Sequence, residues 1–197
     1  MESSEKFHRI AGFKSVNVIG RGKMLRVYEI DGTTRDVGLT IKSALKKIAA
    51  FYALDIAASR SRAKAITGGS QEQPLVFTPG LVLIPVRVKD ELSGGNAYFA
   101  LGAIEEVNCD EGSAAIALTG GHMIATAHNA STLKKRISQA KEVLAAWQQD
   151  FNHRTKESGG CPTGTSLLSE SQMLDLLHIR IDGIKQEVTY LQKSCER

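Results

Sequence analysis

One pattern occurs twice in this sequence and restricts its fold more than any other feature. Each copy consists of an alternating apolar run, a glycine turn, a second alternating run and the start of a helix. The copies are Arg26–Ala49 and Ala115–Ile137. Their helix starts at Ser43 and Ser131 are 88 residues apart and their turn glycines are 89 apart, so a one-residue gap aligns them. Alternation is typical of half-buried strands, and its repetition predicts an internal duplication of a hairpin-helix unit.

The predicted fold is therefore α+β, with two related β-hairpin/helix halves forming a β-rich body and a separate C-terminal amphipathic, coiled-coil-like helix. At 197 residues, 42% of them apolar, the chain is long enough to bury a hydrophobic core. An alternative stays open, because any hairpin followed by a lysine-bearing helix resembles any other. In chain order the predicted segments are a body at 1–151, with repeat copies at about 15–56 and 97–151 and a basic, proline-containing linker at 57–96, then a flexible linker at 152–168 and an oligomerisation helix at 169–197.

The first copy carries the clearest local signals. Ser15–Ile19 and Met24–Ile30 alternate around the turn Gly20–Lys23, which predicts a hairpin whose tip carries two cations. A second turn at Gly32 requires the positive φ that glycine adopts. Thr40 is suited to cap a helix whose apolar positions recur at helical spacing. The predicted inward positions are Ile41, Ala44, Leu45, Ile48, Ala49 and Tyr52, and the predicted exposed lysines are Lys42, Lys46 and Lys47.

Charge is distributed unevenly along the chain, although the formal net charge is only +4. Lys6–Lys64 contains 13 Lys/Arg against 4 Asp/Glu, a net charge of +9. Ala65–Leu133 contains 2 against 7, a net charge of −5. A basic stretch within foldable sequence favours a polyanionic partner, while the alternative is a solvated face that keeps the protein in solution.

The segment Ser59–Lys64 alternates small polar groups with cations. Arginine can bind phosphates or enter a narrow minor groove, and the flanking serines can add hydroxyl contacts. Double-stranded DNA is therefore the expected partner of this segment, of the first hairpin tip and of the lysine pairs at the two helix starts. The candidate DNA-binding residues are Arg21, Lys23, Lys46, Lys47, Arg60, Arg62, Lys64, Lys134 and Lys135.

The C-terminal segment has a heptad pattern. Leu174, Leu177, Ile181, Ile184, Val188, Leu191 and Cys195 follow one another at alternating spacings of 3 and 4. Ile181 and Val188 occupy one heptad position and Leu177 and Leu191 the other, a choice that favours a parallel dimer. The chain is accordingly expected to self-associate, with a helix folded back on its own body as the alternative. The candidate oligomerisation residues are Leu177, Ile181, Ile184, Val188 and Leu191.

Patterns typical of catalysis, of metal sites and of membrane insertion do not occur. The five histidines lack HExxH spacing, no Gly-x-Ser-x-Gly elbow is present, and three scattered cysteines form no zinc pattern. We therefore expect no enzymatic activity, no metal and no cofactor. No apolar run reaches the roughly 18 residues of a membrane helix, and Met1–Lys6 lacks the features of a signal peptide. The expected location is cytoplasmic, without a membrane partner.

Several short motifs follow one another between Val16 and Phe151, namely Ser59-Arg60, Gln73–Val76, Leu83–Val86, Tyr98–Leu101 and Gly120-Gly121. Their order resembles the ComK competence transcription factor family. The resemblance implies a bacterial activator that oligomerises and binds A/T-rich boxes through the minor groove. It places the DNA contacts at Arg60, Arg62 and Lys64, whereas the heptad tail departs from the family pattern.

The hairpin, strand and helix of each copy also resemble LytTR-type DNA-binding domains, which present loops to DNA. Both resemblances and the basic segment lead to one functional prediction, a sequence-preferring DNA-binding transcriptional regulator. Its expected partners are duplex DNA, further copies of itself and a regulatory protein. The competing class is a non-catalytic interaction scaffold that uses the heptad helix and has no affinity for nucleic acid.

Overall fold

The computed structural model describes residues 7, 9–69, 72–89, 95–110 and 113–157. These residues form nine strands and three helices, so the chain combines mixed helix and strand content with a β-rich body, as the sequence predicts. In chain order the elements are β1 (Ile10–Val18), β2 (Gly22–Glu29), β3 (Thr34–Val37), α1 (Ile41–Phe51), α2 (Ile56–Thr67), β4 (Leu75–Thr78), β5 (Leu81–Arg87), β6 (Asn96–Ala100), a 3-10 turn (Leu101–Ala103), β7 (Ile104–Asp110), β8 (Ser113–Leu118), β9 (His122–Thr126) and α3 (Ala130–Glu157).

Two antiparallel sheets organise the body. Six strands pair in the order β3-β2-β1-β6-β5-β4, and three pair in the order β7-β8-β9. The backbone joins the two sheets just beyond β5, where Val88 forms a bridge with Thr126. The amide of Lys89 also donates to the carbonyl of Ala125 at 3.1 Å. Because β4 is short and pairs only with the first residues of β5, the chain at the other end of β5 can pair with β9.

One face of the six-stranded sheet packs against α1. Phe13 of β1 lies opposite Tyr98 of β6, and their ring centroids are 5.7 Å apart. Helix α1 starts as the sequence predicts, because the Thr40 hydroxyl accepts the amide of Ser43 at 3.1 Å. The buried side chains of α1 are Ala44, Leu45, Ile48 and Ala49, all of which lie on the predicted inward face.

The tips of the β2–β3 and β8–β9 hairpins meet backbone to backbone. Gly32 and Gly120 have φ values of +86° and +92°, which L side chains rarely adopt. A Cβ on Gly120 would lie 2.5 Å from the nitrogen of Gly32, and one on Gly32 would lie 2.8 Å from the carbonyl oxygen of Gly120. Near this contact, Tyr28 packs edge-on against His122 with centroids 5.0 Å apart. The predicted glycine turn at Gly32 is confirmed, and its role includes contact with the other hairpin.

The segment predicted as a linker, 57–96, contains α2 and the core strands β4 and β5. Helix α2 lacks an apolar stripe, and Ala63 is its only buried residue. Its two ends are defined by capping residues. The Asp55 carboxylate accepts the amides of Ala57 and Ala58, and Gly68 ends the helix with a φ of +76°. A search for hydrophobic periodicity therefore cannot detect this helix.

The chain divides into two compact units, Met1–Thr155 and Lys156–Arg197. Helix α3 continues past its predicted end at Phe151 to Glu157, through the start of the predicted linker. The rest of that linker and the predicted oligomerisation helix at 169–197 lie outside the described residues. Among the helices that the structure describes, none combines the length and the apolarity needed to cross a membrane.

We predict that Gly120→Ala destabilises the protein more than Gly20→Ala. Both positions have positive φ, which costs an alanine about 1–2 kcal/mol, but only Gly120 also faces a neighbouring backbone. Urea unfolding of both variants should show an additional loss of about 1 kcal/mol or more for Gly120→Ala. Equal losses of unfolding free energy in the two variants would mean that the close contact between Gly32 and Gly120 contributes nothing to stability.

Candidate nucleic-acid interface

Helices α1 and α2 form a helix-turn-helix unit with a short, fixed connection. Ala53 adopts a positive φ of 50° in the turn, and the amide of Leu54 donates to the carbonyl of Ala49 at 2.8 Å. The Asp55 side chain then accepts the amide of Ala57 at 2.7 Å and starts α2. Backbone and capping hydrogen bonds therefore define how α2 leaves α1.

Helix α2 is held from one side and exposes its cations on another. The Thr67 hydroxyl bonds to the Gln73 side chain at 2.9 Å. Arg62 pairs with Asp150 of α3. Arg60 and Lys64, which lie one helical turn apart, are exposed. The sequence places these three cations close together, but the structure separates them. Arg62 forms an ion pair, whereas Arg60 and Lys64 lie on the exposed face of α2.

Arg60 belongs to an open groove between α1, α2 and β6, which we call the basic groove. Its volume is about 470 Å³. Lys42 and Lys46 of α1 line it together with Arg60, whose guanidinium donates to the Tyr98 hydroxyl at 3.2 Å. The full lining is Ile41, Lys42, Leu45, Lys46, Ile56, Ala57, Arg60, Asn96 and Tyr98. The structure thus brings together Lys46 and Arg60, two of the predicted DNA-binding residues.

Arginines on or next to the first three strands are paired with carboxylates. Arg26 forms two hydrogen bonds of 2.8 Å with Asp36, and the pKa of that carboxyl is lowered, chiefly by these bonds. Arg35 binds Glu29 at 2.8 Å. Arg9 pairs with Asp31, whose pKa is lowered first by hydrogen bonds from Thr33. The charge of each of these three arginines is therefore balanced by a neighbouring carboxylate.

The cations of the α1–α2 unit differ from those arginines. Within the described residues, Lys42, Lys46, Arg60 and Lys64 form no ion pair, and all four are exposed. Two of them, Lys42 and Lys46, lie one turn apart on α1 just as Arg60 and Lys64 do on α2. An incoming anion can bind these groups without first displacing a carboxylate. We call these four residues the cation set.

The remaining candidates lie elsewhere on the body. Arg21 and Lys23 are exposed at the tip of the β1–β2 turn, and the charge of Arg21 helps to lower the pKa of Asp36. Lys47 lies at a separate cavity of about 250 Å³ that Arg35 also lines. Two further candidates, Lys134 and Lys135, are exposed near the start of α3. The described contacts place none of these residues in the basic groove.

Three polar residues of the groove are absent from the list of candidate DNA-binding residues, although the sequence predicts that one of them, Lys42, is exposed. Lys42 was identifiable, because it precedes Lys46 by four residues on a predicted helix. Asn96 and Tyr98 reach the groove from β6, which joins the sheet through pairing with distant strands. No local pattern could indicate that Tyr98 would hold Arg60.

A second polar cluster fastens α3 to β5. Glu72 pairs with Arg136 at 2.7 Å and with Arg87 at 3.4 Å, and Arg136 also donates to the Pro85 carbonyl at 2.9 Å. His128 accepts the amide of Arg87 through Nε2 at 3.2 Å. Burial lowers the pKa of His128, with a further lowering by Arg136 and an opposing effect of Glu72. This cluster is structural, since its cations are already engaged.

No family model matches this chain, and neither the curated proteins nor the solved structures include a match. Its function is therefore inferred from its own geometry.

We predict that unfolding free energy falls as pH drops from about 7 to about 5, and that His128→Gln reduces this dependence. The folded-state pKa of His128 lies below its ordinary value of about 6.5. The neutral ring therefore contributes stability above that value, and the contribution is lost as pH falls toward the folded pKa. Denaturant titrations of both proteins across this range measure the difference. Parallel pH profiles would contradict the assignment to His128.

Proposed function

We propose that this protein is a DNA-binding transcriptional regulator that contacts duplex DNA through the α1–α2 unit. The observation that carries the proposal is the cation set, which is exposed and outside any described ion pair while the neighbouring strand arginines are paired. Phosphate contacts supply most of the affinity of proteins for DNA and fix their orientation on it. Exposed cations on two helices joined by a hydrogen-bonded turn are suited to that role.

Helix α2 is the element that we propose to enter the major groove. That groove admits an α-helix, and the second helix of a helix-turn-helix unit commonly enters it by its N-terminal residues. Beside its cations α2 exposes Ala57, Ala58 and Ser61, small side chains that allow close approach to base edges. Alanine can contact the methyl group of thymine. This contact gives a route to the A/T preference that the ComK resemblance implies, from the major groove rather than the minor groove.

We further propose that the two halves arose by duplication. β1-β2-β3-α1 and β7-β8-β9-α3 have the same order of three antiparallel strands and a helix, and the tips of their equivalent hairpins touch. In this proposal the pairs Lys46/Lys47 and Lys134/Lys135 occupy equivalent positions. The second pair then forms an additional phosphate contact, as do Arg21 and Lys23 at the first hairpin tip.

The remaining expectations belong to the same proposal. We place self-association in the heptad helix at 169–197, because two linked DNA-binding modules gain affinity from high effective concentration. The regulator acts without catalysis or a cofactor, and a regulatory protein is an expected partner. The competing scaffold hypothesis keeps the heptad helix and predicts no measurable affinity for duplex DNA.

Substitution within the cation set should weaken DNA binding selectively. We expect Arg60→Gln and Lys64→Gln each to lower the affinity for an A/T-rich duplex about tenfold at about 0.1 M salt, because each removes one phosphate contact. Arg26→Gln is the matched control, since it removes the same charge from an arginine already bound to Asp36. Mobility shift with the folded variants measures the affinities. Equal effects of all three would indicate dependence on net charge alone and would reject the α1–α2 surface.

The heptad helix is tested separately. We expect Ile181→Asp, or a chain ending at Leu168, to lower the sedimenting mass and weaken DNA binding, because a buried unpaired charge is costly and the truncation removes the seam. Gln186→Asp is the control, since it introduces the same charge at a heptad position away from the seam. If every variant sediments as the parent protein does, the tail packs on its own body.

A further inference from the structure

The basic groove contains a feature that DNA binding does not use. Its rim carries Lys42, Lys46 and Arg60, but its floor is formed by apolar side chains that include Ile41, Leu45 and Ile56. A phosphodiester would contact the rim and leave this floor in water. A concave site with apolar walls and a few converging polar groups is typical of small-molecule binding, and its volume of about 470 Å³ lies within the usual range of such sites.

The rim determines the charge of the occupant. Three cations and no carboxylate line the groove among the described residues. The hydrogen bond from Arg60 to the Tyr98 hydroxyl holds the guanidinium at the groove and leaves its other donors available for an anion. Lys42 lies in the first turn of α1, where the helix dipole adds partial positive charge. The rim therefore favours an anionic occupant.

The floor determines the rest of the occupant. Leu45 and Tyr98 are buried members of the hydrophobic core, so the floor is rigid and continuous with the body. An inorganic anion would bind the rim and leave the floor exposed to water. An apolar chain or ring attached to the anionic group would cover the floor, and the amide of Asn96 offers a further hydrogen bond. One amphipathic molecule can therefore contact both the cationic rim and the apolar floor.

We propose that the basic groove binds a small organic anion with an apolar body, such as an alkyl phosphate or an alkyl carboxylate, and that its binding displaces DNA. The second part rests on the proposed function. Lys46 and Arg60 cannot neutralise the head group of the ligand and a DNA phosphate at the same time. The groove is thus an effector site, and its ligand and duplex DNA exclude each other from the same cations.

Calorimetry on the full-length chain without DNA tests the site alone. Octyl phosphate should bind with 1:1 stoichiometry, while inorganic phosphate, 1-octanol and octyltrimethylammonium should each bind at least about tenfold more weakly, because each lacks one half of the required chemistry. Lys42→Gln and Ala57→Phe should weaken octyl phosphate binding by a similar factor, the first at the rim and the second by filling the groove. Arg26→Gln is the control and should bind as the parent does.

Equal binding of octyl phosphate and inorganic phosphate would overturn the role of the floor, and unchanged binding by both groove variants would place the ligand elsewhere. A further arm uses vesicles of phosphatidylcholine with phosphatidic acid, which share the head-group chemistry. Binding to vesicles without binding to free octyl phosphate would indicate a membrane surface and reject the proposal.

Competition distinguishes failure of this inference from failure of the proposed function. Octyl phosphate should release a labelled duplex in mobility shift, and octyltrimethylammonium should not. Mutual exclusion would be overturned if duplex release did not rise with the fraction of groove occupied by octyl phosphate. A stable complex of protein, duplex and octyl phosphate would overturn it as well. If the protein binds octyl phosphate but not DNA, the effector site is supported and the DNA-binding function is rejected. If it binds DNA but not octyl phosphate, the DNA-binding function is supported and the effector site is rejected.

Discussion

The pairing of β1 with β6 is the contact on which the rest of this structure depends. It joins two three-stranded meanders into one six-stranded sheet, and it requires Gly12, because a Cβ there would lie 2.3 Å from Cδ1 of Phe99. The same register places Tyr98 beside Phe13 on the face covered by α1. Tyr98 then orients Arg60. A backbone pairing between distant segments thus determines where the principal cation of the candidate site lies.

Charge balance separates the structural cations from the candidate functional ones. Arg26, Arg35 and Arg62 each bind a carboxylate, and exposed pairs of this kind contribute little stability, but they hold their guanidinium groups in place. Arg60 instead donates to the hydroxyl of Tyr98, and it forms no ion pair with any residue that the structure describes. The number of cations in the segment is therefore not the main reason that the surface of the α1–α2 unit is positive. The main reason is that the fold places carboxylates beside Arg26, Arg35 and Arg62 and a phenol hydroxyl beside Arg60.

Local features of the fold could be predicted from the sequence and long-range ones could not. The hairpin turns, the Thr40 cap and the inward face of α1 follow from turn chemistry and helical spacing within a few residues. Helix α2 has no apolar period that would reveal it, because caps define it. The ion pair that separates Arg62 from Arg60 has no local signal either, because Asp150 is distant in sequence. The pairing of β1 with β6, and with it the basic groove, has no local signature.

The central claim is that the cation set on α1 and α2 binds DNA phosphates. The salt dependence of duplex binding by the intact protein tests it most directly, because each phosphate contact releases condensed counterions. Four contacts, one for each member of the cation set, predict a slope of log K against log salt of about −3.6 or steeper. A slope near zero, or no binding to duplex at low salt, would contradict the account.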